Sequence, residues 1–234
     1  MRRLTLVVVS AGAFASSAFA AEVAMPRKAP IVKAPPPVAA TSSGISIYAG
    51  AHIGGGWSRF SSPAAIETLN TSGVLGGLQL GANLQSGNFV FGIEGDVSIA
   101  GVRGNGSGTI GGVAATSTAK HRWFATLGGR VGYALGRTLV FAKGGGAWTQ
   151  YHWDFATAAA ALGQNRDRFG WMVGGGVEQA WTDTISFKLE YNYLDFGRRT
   201  ETFTPGALVI APVDVRLYAH LVKLGVNYRF VAGR

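Results

Sequence analysis

From residue 44 onward, apolar side chains recur at every second position, the period of β-strands rather than of helices. Eight segments carry this alternation: residues 45–58, 73–85, 88–102, 120–135, 138–151, 168–181, 185–196 and 215–230. In the first, Ile47, Ala49, Ala51, Ile53 and Trp57 share one face while Tyr48 and His52 take the other. In the seventh, Ile185, Phe187, Leu189, Tyr191 and Tyr193 oppose Ser186, Lys188, Glu190 and Asn192. Each segment covers the ~9–11 residues that a tilted strand needs to cross a bilayer.

The connections set the architecture. Those after the second, fourth and sixth segments are short: Ser86 and Gly87, Gly136 and Arg137, Thr182 and Asp183. Those after the first, third, fifth and seventh are long: residues 59–72, 103–119, 152–167 and 197–214. Short and long connections alternating over eight antiparallel strands predict an all-β fold, an eight-stranded antiparallel up-and-down transmembrane β-barrel. Closure satisfies every backbone group in lipid and leaves no sheet edge.

Charge then fixes which face meets lipid. Glu94, Asp96, Arg122, Arg130, Lys143, Glu178, Lys188, Glu190, Lys223 and Arg229 all fall on the polar rows. A charge on the lipid face costs about 2–4 kcal/mol near the midplane, so these residues are expected to point inward. An eight-stranded barrel has room inside for side chains only, so acids and bases are expected to pair across it as a plug. The alternative is a narrow diffusion porin for small polar solutes. Trp57, Trp123, Tyr133, Trp148, Trp171, Trp181, Tyr193 and Tyr228 lie near strand ends, where aromatic girdles form.

The N-terminus is of a different kind. Arg2 and Arg3 precede an apolar stretch, and Ala18, Phe19 and Ala20 form a small-x-small site, so residues 1–20 read as a cleaved signal peptide. Residues 21–43 hold five of the eight prolines and read as an extended periplasmic tether. Residues 44–234 form the barrel. Glycine makes up 35 of 234 residues, about twice the usual ~7%, without a collagen period. The absence of cysteine excludes disulfides, thiolate metal sites and a cysteine nucleophile. The net charge of +9 is partly carried by Arg2, Arg3, Arg27, Lys28 and Lys33, outside the barrel. No basic run exceeds two residues, so nucleic acid is not an expected partner.

Catalytic chemistry finds little support. His52, His121, His152 and His220 stand singly, with no zinc-binding spacing, and there is no G-x-S-x-G elbow. Gly104, Gly106 and Gly108, like Gly144, Gly145 and Gly146, lack the following helix that a phosphate cradle requires. No catalytic, cofactor-binding or metal site is expected.

Three stretches carry a resemblance. They are residues 47–57 (IYAGAHIGGGW), residues 170–181 (GWMVGGGVEQAW) continued by 188–197 (KLEYNYLDFG), and residues 223–230 (KLGVNYRF). The chain resembles the small porin-like outer-membrane proteins of alphaproteobacteria, eight-stranded barrels that include surface antigens. Such barrels often end on an aromatic residue, whereas here four residues follow Phe230. The resemblance implies the outer membrane as location and an envelope-structural, surface-exposed role. Implied partners are outer-membrane lipids and lipopolysaccharide, the barrel assembly machinery during biogenesis, and peptidoglycan through residues 21–43.

Overall fold

A computed structural model describes residues 44–61, 69–110, 113–157, 161–203 and 210–230. The expected signal peptide and tether lie outside the described residues. Nine strands follow in order: β1 (Gly44–Ser61), β2 (Leu69–Ser86), β3 (Phe89–Ala100), β4 (Arg103–Ile110), β5 (Val113–Leu135), β6 (Thr138–Thr157), β7 (Ala161–Ala180), β8 (Ile185–Phe203) and β9 (Ile210–Phe230). All pairings are antiparallel, and β9 pairs with β1 to close the sheet. β3 and β4 form one stave interrupted at Gly101 and Val102. The Gly101 amide still donates to the Val74 carbonyl, and the His121 amide to the Val102 carbonyl, both at 2.9 Å. The barrel therefore has eight staves.

Two of the turns are the two-residue kind. Gly87 and Gly136 adopt φ of 59° and 62°, the left-handed geometry that lets a tight turn follow the strand twist. The third runs over four residues rather than two, from Trp181 to Thr184, and is closed by the Trp181 amide on the Ile185 carbonyl.

The long connections differ from expectation. Most of their length is paired strand: β1 and β2 stay in register to Phe60 and Leu69, β4 and β5 to Ile110 and Val113, β6 and β7 to Ala156 and Ala161, β8 and β9 to Phe203 and Ile210. The physical reason lies in the side-chain rows. Toward the turn end, the outward row is apolar: Ile47, Ile53, Leu80, Ile93, Leu127 and Leu224 are all exposed on the barrel exterior. Beyond Trp57, Trp148 and Trp171 the rows exchange character. Arg59, Asn70, Arg103, Asp167 and Arg216 now face out, while Phe60, Tyr151, Trp153, Val215 and Leu217 are buried inside. Alternation continues with its phase inverted, so a search for an apolar outer row stops where the strand does not.

The apolar exterior has bilayer dimensions. Ile45 to Trp57 is twelve steps of ~3.3 Å, about 40 Å along the strand, and a tilt of ~40° reduces this to about 30 Å across the membrane.

One seam is incomplete. Pairing between β7 and β8 stops at Trp171 and Asp195, although both strands continue. A bulge between Asp195 and Arg198 turns β8 aside, with Gly197 at φ 69°. The Asp195 carboxylate accepts hydrogen bonds from the Gly197 amide at 2.8 Å and from Arg216 at 2.7 Å. Here the backbones meet so closely that a Cβ on Gly170 would collide with the Asp195 carbonyl.

Candidate functional site in the barrel lumen

Inside the membrane-spanning part, long charged side chains converge from six of the strands. Room for them comes from glycine. Glu94 is flanked in register by Gly81 and Gly128, Arg130 by Gly92, Lys143 by Gly174, Lys188 by Gly225, Glu190 by Gly176 and Lys223 by Gly54. Small residues opposite large ones let a narrow interior fill without voids. At Gly81 the Tyr48 ring lies where a Cβ would sit, and its hydroxyl donates to Glu94 Oε2 at 2.6 Å.

The charges form one connected network. Lys188 donates to both Glu94 oxygens, at 2.9 and 2.8 Å, and stands 2.9 Å from Glu190. Lys143 Nζ lies among three carboxylates: 3.0 Å from Glu94, 3.7 Å from Asp96 and 2.5 Å from Glu190. Lys223 pairs with Asp96 at 2.6 Å. Arg130 bridges Glu178 at 3.2 Å and Glu94 at 3.5 Å, and its guanidinium lies over the Tyr48 and Phe141 rings. Four acids thus meet four bases, so the layer is formally neutral. Each of these side chains is at most 6% exposed, which makes charge balance a condition of folding rather than an ornament.

Neutral groups complete the layer. Thr126 donates to Asp96, Ser186 and Asn227 donate to Glu178, Asn83 accepts from Arg130, and Gln79 donates to Asn227. The alternation puts these residues and Tyr48 on the polar rows but does not give the charge that each one meets. The carboxylates of Glu94, Asp96 and Glu190 lie close enough together to surround a cation. Lys143 Nζ already stands there in a cation's place.

Of the ten charges expected inside, the structure brings together eight. Arg122 is exposed instead. The β5–β6 register shifts between His121 and Trp123, and this bulge removes Arg122 from the lumen row. An alternation count that assumes an unbroken strand has no means of seeing it. Arg229 keeps lumen parity but lies half-exposed at the turn-end mouth, outside the network. The eight girdle aromatics all lie on the outward face. Tyr133, Trp181 and Tyr228 stand by the turns, and Trp57, Trp123, Trp148, Trp171 and Tyr193 form the opposite ring.

Toward the hairpin end the lumen changes to an apolar core. Phe60, Leu75, Phe124, Tyr151, Met172, Leu194, Phe196, Leu217 and Leu221 pack there, with Phe60 against Tyr151 and Trp153 at ring separations of 5.5 and 5.3 Å. Within it, His121 shares hydrogen bonds with Ser58 Oγ at 2.9 Å and Thr149 Oγ1 at 3.1 Å, stacked against Phe124. Arg168, not among the ten charges expected inside, donates to the Val215 carbonyl at 3.1 Å and lies over the Tyr151 ring.

Comparison with known proteins agrees with this architecture. Residues 5–230 match the outer membrane protein beta-barrel domain family. The chain is 28% identical to the 31 kDa outer-membrane immunogenic protein of Brucella melitensis, across 98% of this chain and 100% of that one. It is 27% identical to the 22 kDa outer membrane protein of Rhizobium leguminosarum, across 69% of this chain and 68% of that one. Among solved structures, the outer membrane protein OprG from Pseudomonas aeruginosa superposes with a TM-score of 0.51 over 81% of this chain and 97% of that one. At 14% identity that likeness concerns the fold alone. The chain belongs to the outer membrane protein beta-barrel domain family and is an outer-membrane β-barrel protein.

Proposed function

We propose that the chain is an exported, surface-exposed structural barrel of the outer membrane, with its lumen closed by its own side chains and without catalytic activity. The observation that carries this reading is the filled lumen. Glu94, Lys188, Glu190 and Lys223 in the charged layer, and Leu194, Leu217 and Leu221 above it, are each at most 2% exposed. Two stacked layers, one ion-paired and one apolar, oppose passage by different physics. A polar solute that parts the ion pairs still meets a hydrocarbon-like plug.

The non-catalytic part rests on the surroundings of the two serine–histidine contacts among the described residues: Ser98 with His52 at 2.8 Å, both at most 3% exposed, and Ser58 with His121 at 2.9 Å. Ser58 and His121 are both buried, and the imidazole is enclosed by Phe60, Phe124 and Tyr151. A substrate has no approach to either hydroxyl.

The surface role is supported by the naming of Brucella relatives as outer-membrane immunogenic proteins, and by the hairpins that extend past the aromatic ring. Export through a cleaved signal at Ala20, assembly by the barrel machinery and contact of residues 21–43 with peptidoglycan belong to the same reading.

Single-channel recording in planar bilayers tests the closed lumen. Silence, or rare brief flickers, is expected. Steady nanosiemens openings overturn the plug in favour of a diffusion porin. An epitope inserted between Thr157 and Ala161 is expected to be labelled on intact cells, and one replacing Gly136 and Arg137 is not. The reverse pattern overturns the orientation.

A further inference from the structure

Beyond the aromatic girdle the seam between β7 and β8 is braced on its inner side and left open on its outer side. Their register ends at Trp171 and Asp195, and above that level the two strands run on without pairing to each other. Each keeps its other neighbour: β7 pairs with β6 as far as Ala161, and β8 with β9 as far as Phe203. A Cβ added at Gly197 would meet nothing within 4 Å, and the atoms nearest to one at Gly163 belong to His152 and Asp154 of β6. On the inner side Arg168 spans the gap, donating past β8 to the Val215 carbonyl of β9 at 3.1 Å. The seam between β2 and β4 differs. Its register is down to Ser72 with Arg103, but a Cβ on Gly104 would collide with the Asn70 carbonyl, so those backbones still touch.

Both faces of β8 meet water along this seam. Arg198, Arg199 and Thr200 follow the bulge, and all three are exposed. Arg199 shows the opening most directly, because its register partner on β9, Val215, faces inward and is 3% exposed. An inward position on β8 is therefore wet where its neighbour on β9 is buried. Register sets Arg198 opposite Arg216, but Arg216 is held by Asp195 at 2.7 Å. Neither Arg198 nor Arg199 has a carboxylate partner among the described residues. The acids closest in register are engaged elsewhere: Asp214 accepts from Thr200 at 2.7 Å, and Asp167 on β7 accepts from Gln150 at 2.9 Å.

An open strand edge offers main-chain donors and acceptors to an extended segment that lies beside it. The charges on this edge select the occupant. A second copy of the chain, docked β8 against β8, brings its own arginines to Arg198 and Arg199, and like charges facing each other across strands are unfavourable. Acidic residues are favoured there for the same reason. Consecutive residues of a strand point to opposite faces, so Arg198 and Arg199 together select two consecutive acids, one for each face. We propose that the open edge of β8 is a docking site for an extended acidic segment of another protein, which adds to β8 as an extra strand and sets consecutive Asp or Glu residues against Arg198 and Arg199. The edge runs from Phe196 to Phe203, about 26 Å at ~3.3 Å per residue, which suits a strand of ordinary length. The bulge at Gly197 turns β8 away from β7 and so creates the edge. The proposal rests on the hairpin ends lying outside the cell, as in the reading above, and adds a partner to it.

The test uses the full chain folded in zwitterionic detergent micelles. The probe is a fluorescent synthetic peptide of threonine and valine with two central glutamates, and binding is read by fluorescence anisotropy. Saturable binding to the parent is expected. R198Q/R199Q is expected to bind about tenfold more weakly, because two cross-strand charge pairs are lost together. R59Q/R122Q, with equal charge removed from the other side of the barrel, is expected to bind as the parent does. A peptide N-methylated along one edge keeps its charge but cannot donate to a strand, and it is expected to bind about tenfold more weakly or worse. Amide exchange along Phe196–Phe203 is expected to slow when the unmethylated peptide is added. No binding to the parent, equal affinity for the methylated peptide, or equal losses in the two arginine variants overturns the proposal. Self-association of the parent that the peptide displaces overturns the occupant in favour of a second copy. If the double variant does not fold, R199Q serves, with an expected loss of about threefold. Binding in micelles depends on neither conductance nor orientation, so its failure leaves the closed lumen and the surface role where they stand.

Discussion

Glu94 is the acid whose loss best measures the lumen network. It accepts from Tyr48 at 2.6 Å and Lys188 at 2.8 and 2.9 Å, and it stands 3.0 Å from Lys143 and 3.5 Å from Arg130. Glu94→Gln keeps the volume and removes the charge, so four bases then face three acids in a space closed to water. Removing one partner of a buried pair costs about 3–5 kcal/mol. Here the excess positive charge is shared, because Lys143 and Lys188 keep Glu190 at 2.5 and 2.9 Å and Arg130 keeps Glu178 at 3.2 Å. The lower end, about 3 kcal/mol, is therefore expected. Against a total stability of roughly 5–15 kcal/mol this is a large share.

The measurement is urea unfolding in lipid vesicles, followed by tryptophan fluorescence and by the heat-modifiable gel band. Two comparisons make it decisive. Ile93→Val, one residue away on the lipid face, is expected to cost almost nothing, since the deleted methylene leaves lipid rather than a packed core. Glu94→Gln/Lys188→Met restores three acids to three bases and is expected to recover at least 1 kcal/mol of the single-variant loss. A Glu94→Gln penalty below about 1 kcal/mol, or a double variant as weak as the sum of its singles, refutes charge balance as the organising constraint.

Other residues probe other parts of the same structure. Glu178→Leu, which leaves Arg130, Ser186 and Asn227 without their common acceptor, is expected to lose several kcal/mol, whereas Val177→Leu on the lipid face is expected to be neutral in the same unfolding assay. Phe60→Ala removes the ring between His121, Tyr151 and Trp153 and is expected to cost about 3–5 kcal/mol, read as protease cleavage of the hairpins while the heat-modifiable band persists. At Asp154, slight burial opposes ionisation but the hydrogen bonds from Lys120 and His152 outweigh it, so the carboxyl titrates below the usual aspartate value. A depressed folded-state pKa means that these contacts support the hairpin above the ordinary aspartate range and are lost as pH falls through the lower value. A carboxyl NMR titration of the folded barrel should show the midpoint below that of the Asp154 peptide.

Much of the membrane-spanning part was legible from alternation alone, because lipid imposes a severe rule on the outward row. Ile47, Ile53, Leu80, Ile93 and Leu224 are apolar because they touch hydrocarbon, and Glu94, Lys143, Lys188 and Glu190 then have only the lumen left to occupy. Pairing partners were less legible. Whether Lys143 meets Glu94 or Glu190 depends on shear and tilt, which shift one strand against another without changing its own pattern. Arg122 failed for a third reason. A bulge adds one residue and flips the parity of everything on one side of it, and nothing in the run His121, Arg122, Trp123 marks the insertion.

The hairpin ends lie beyond the apolar outer row for a reason that also explains how the barrel is built. In lipid the stable arrangement is apolar outside and polar inside; in water it is the opposite. A strand that passes from one solvent to the other without breaking must exchange its two rows, and the exchange falls just past Trp57 on β1 and Trp148 on β6. Below that level, stability comes from ion pairs that need every partner; above it, from a core of Phe60, Leu194, Leu217 and Leu221 that needs only volume. The two layers therefore tolerate different changes. Volume-conserving apolar substitutions pass in the upper layer, while no single charge can be deleted below without leaving its partner uncompensated. A lumen filled in this way leaves the outer surface and the hairpin rim as the places where the molecule meets its surroundings.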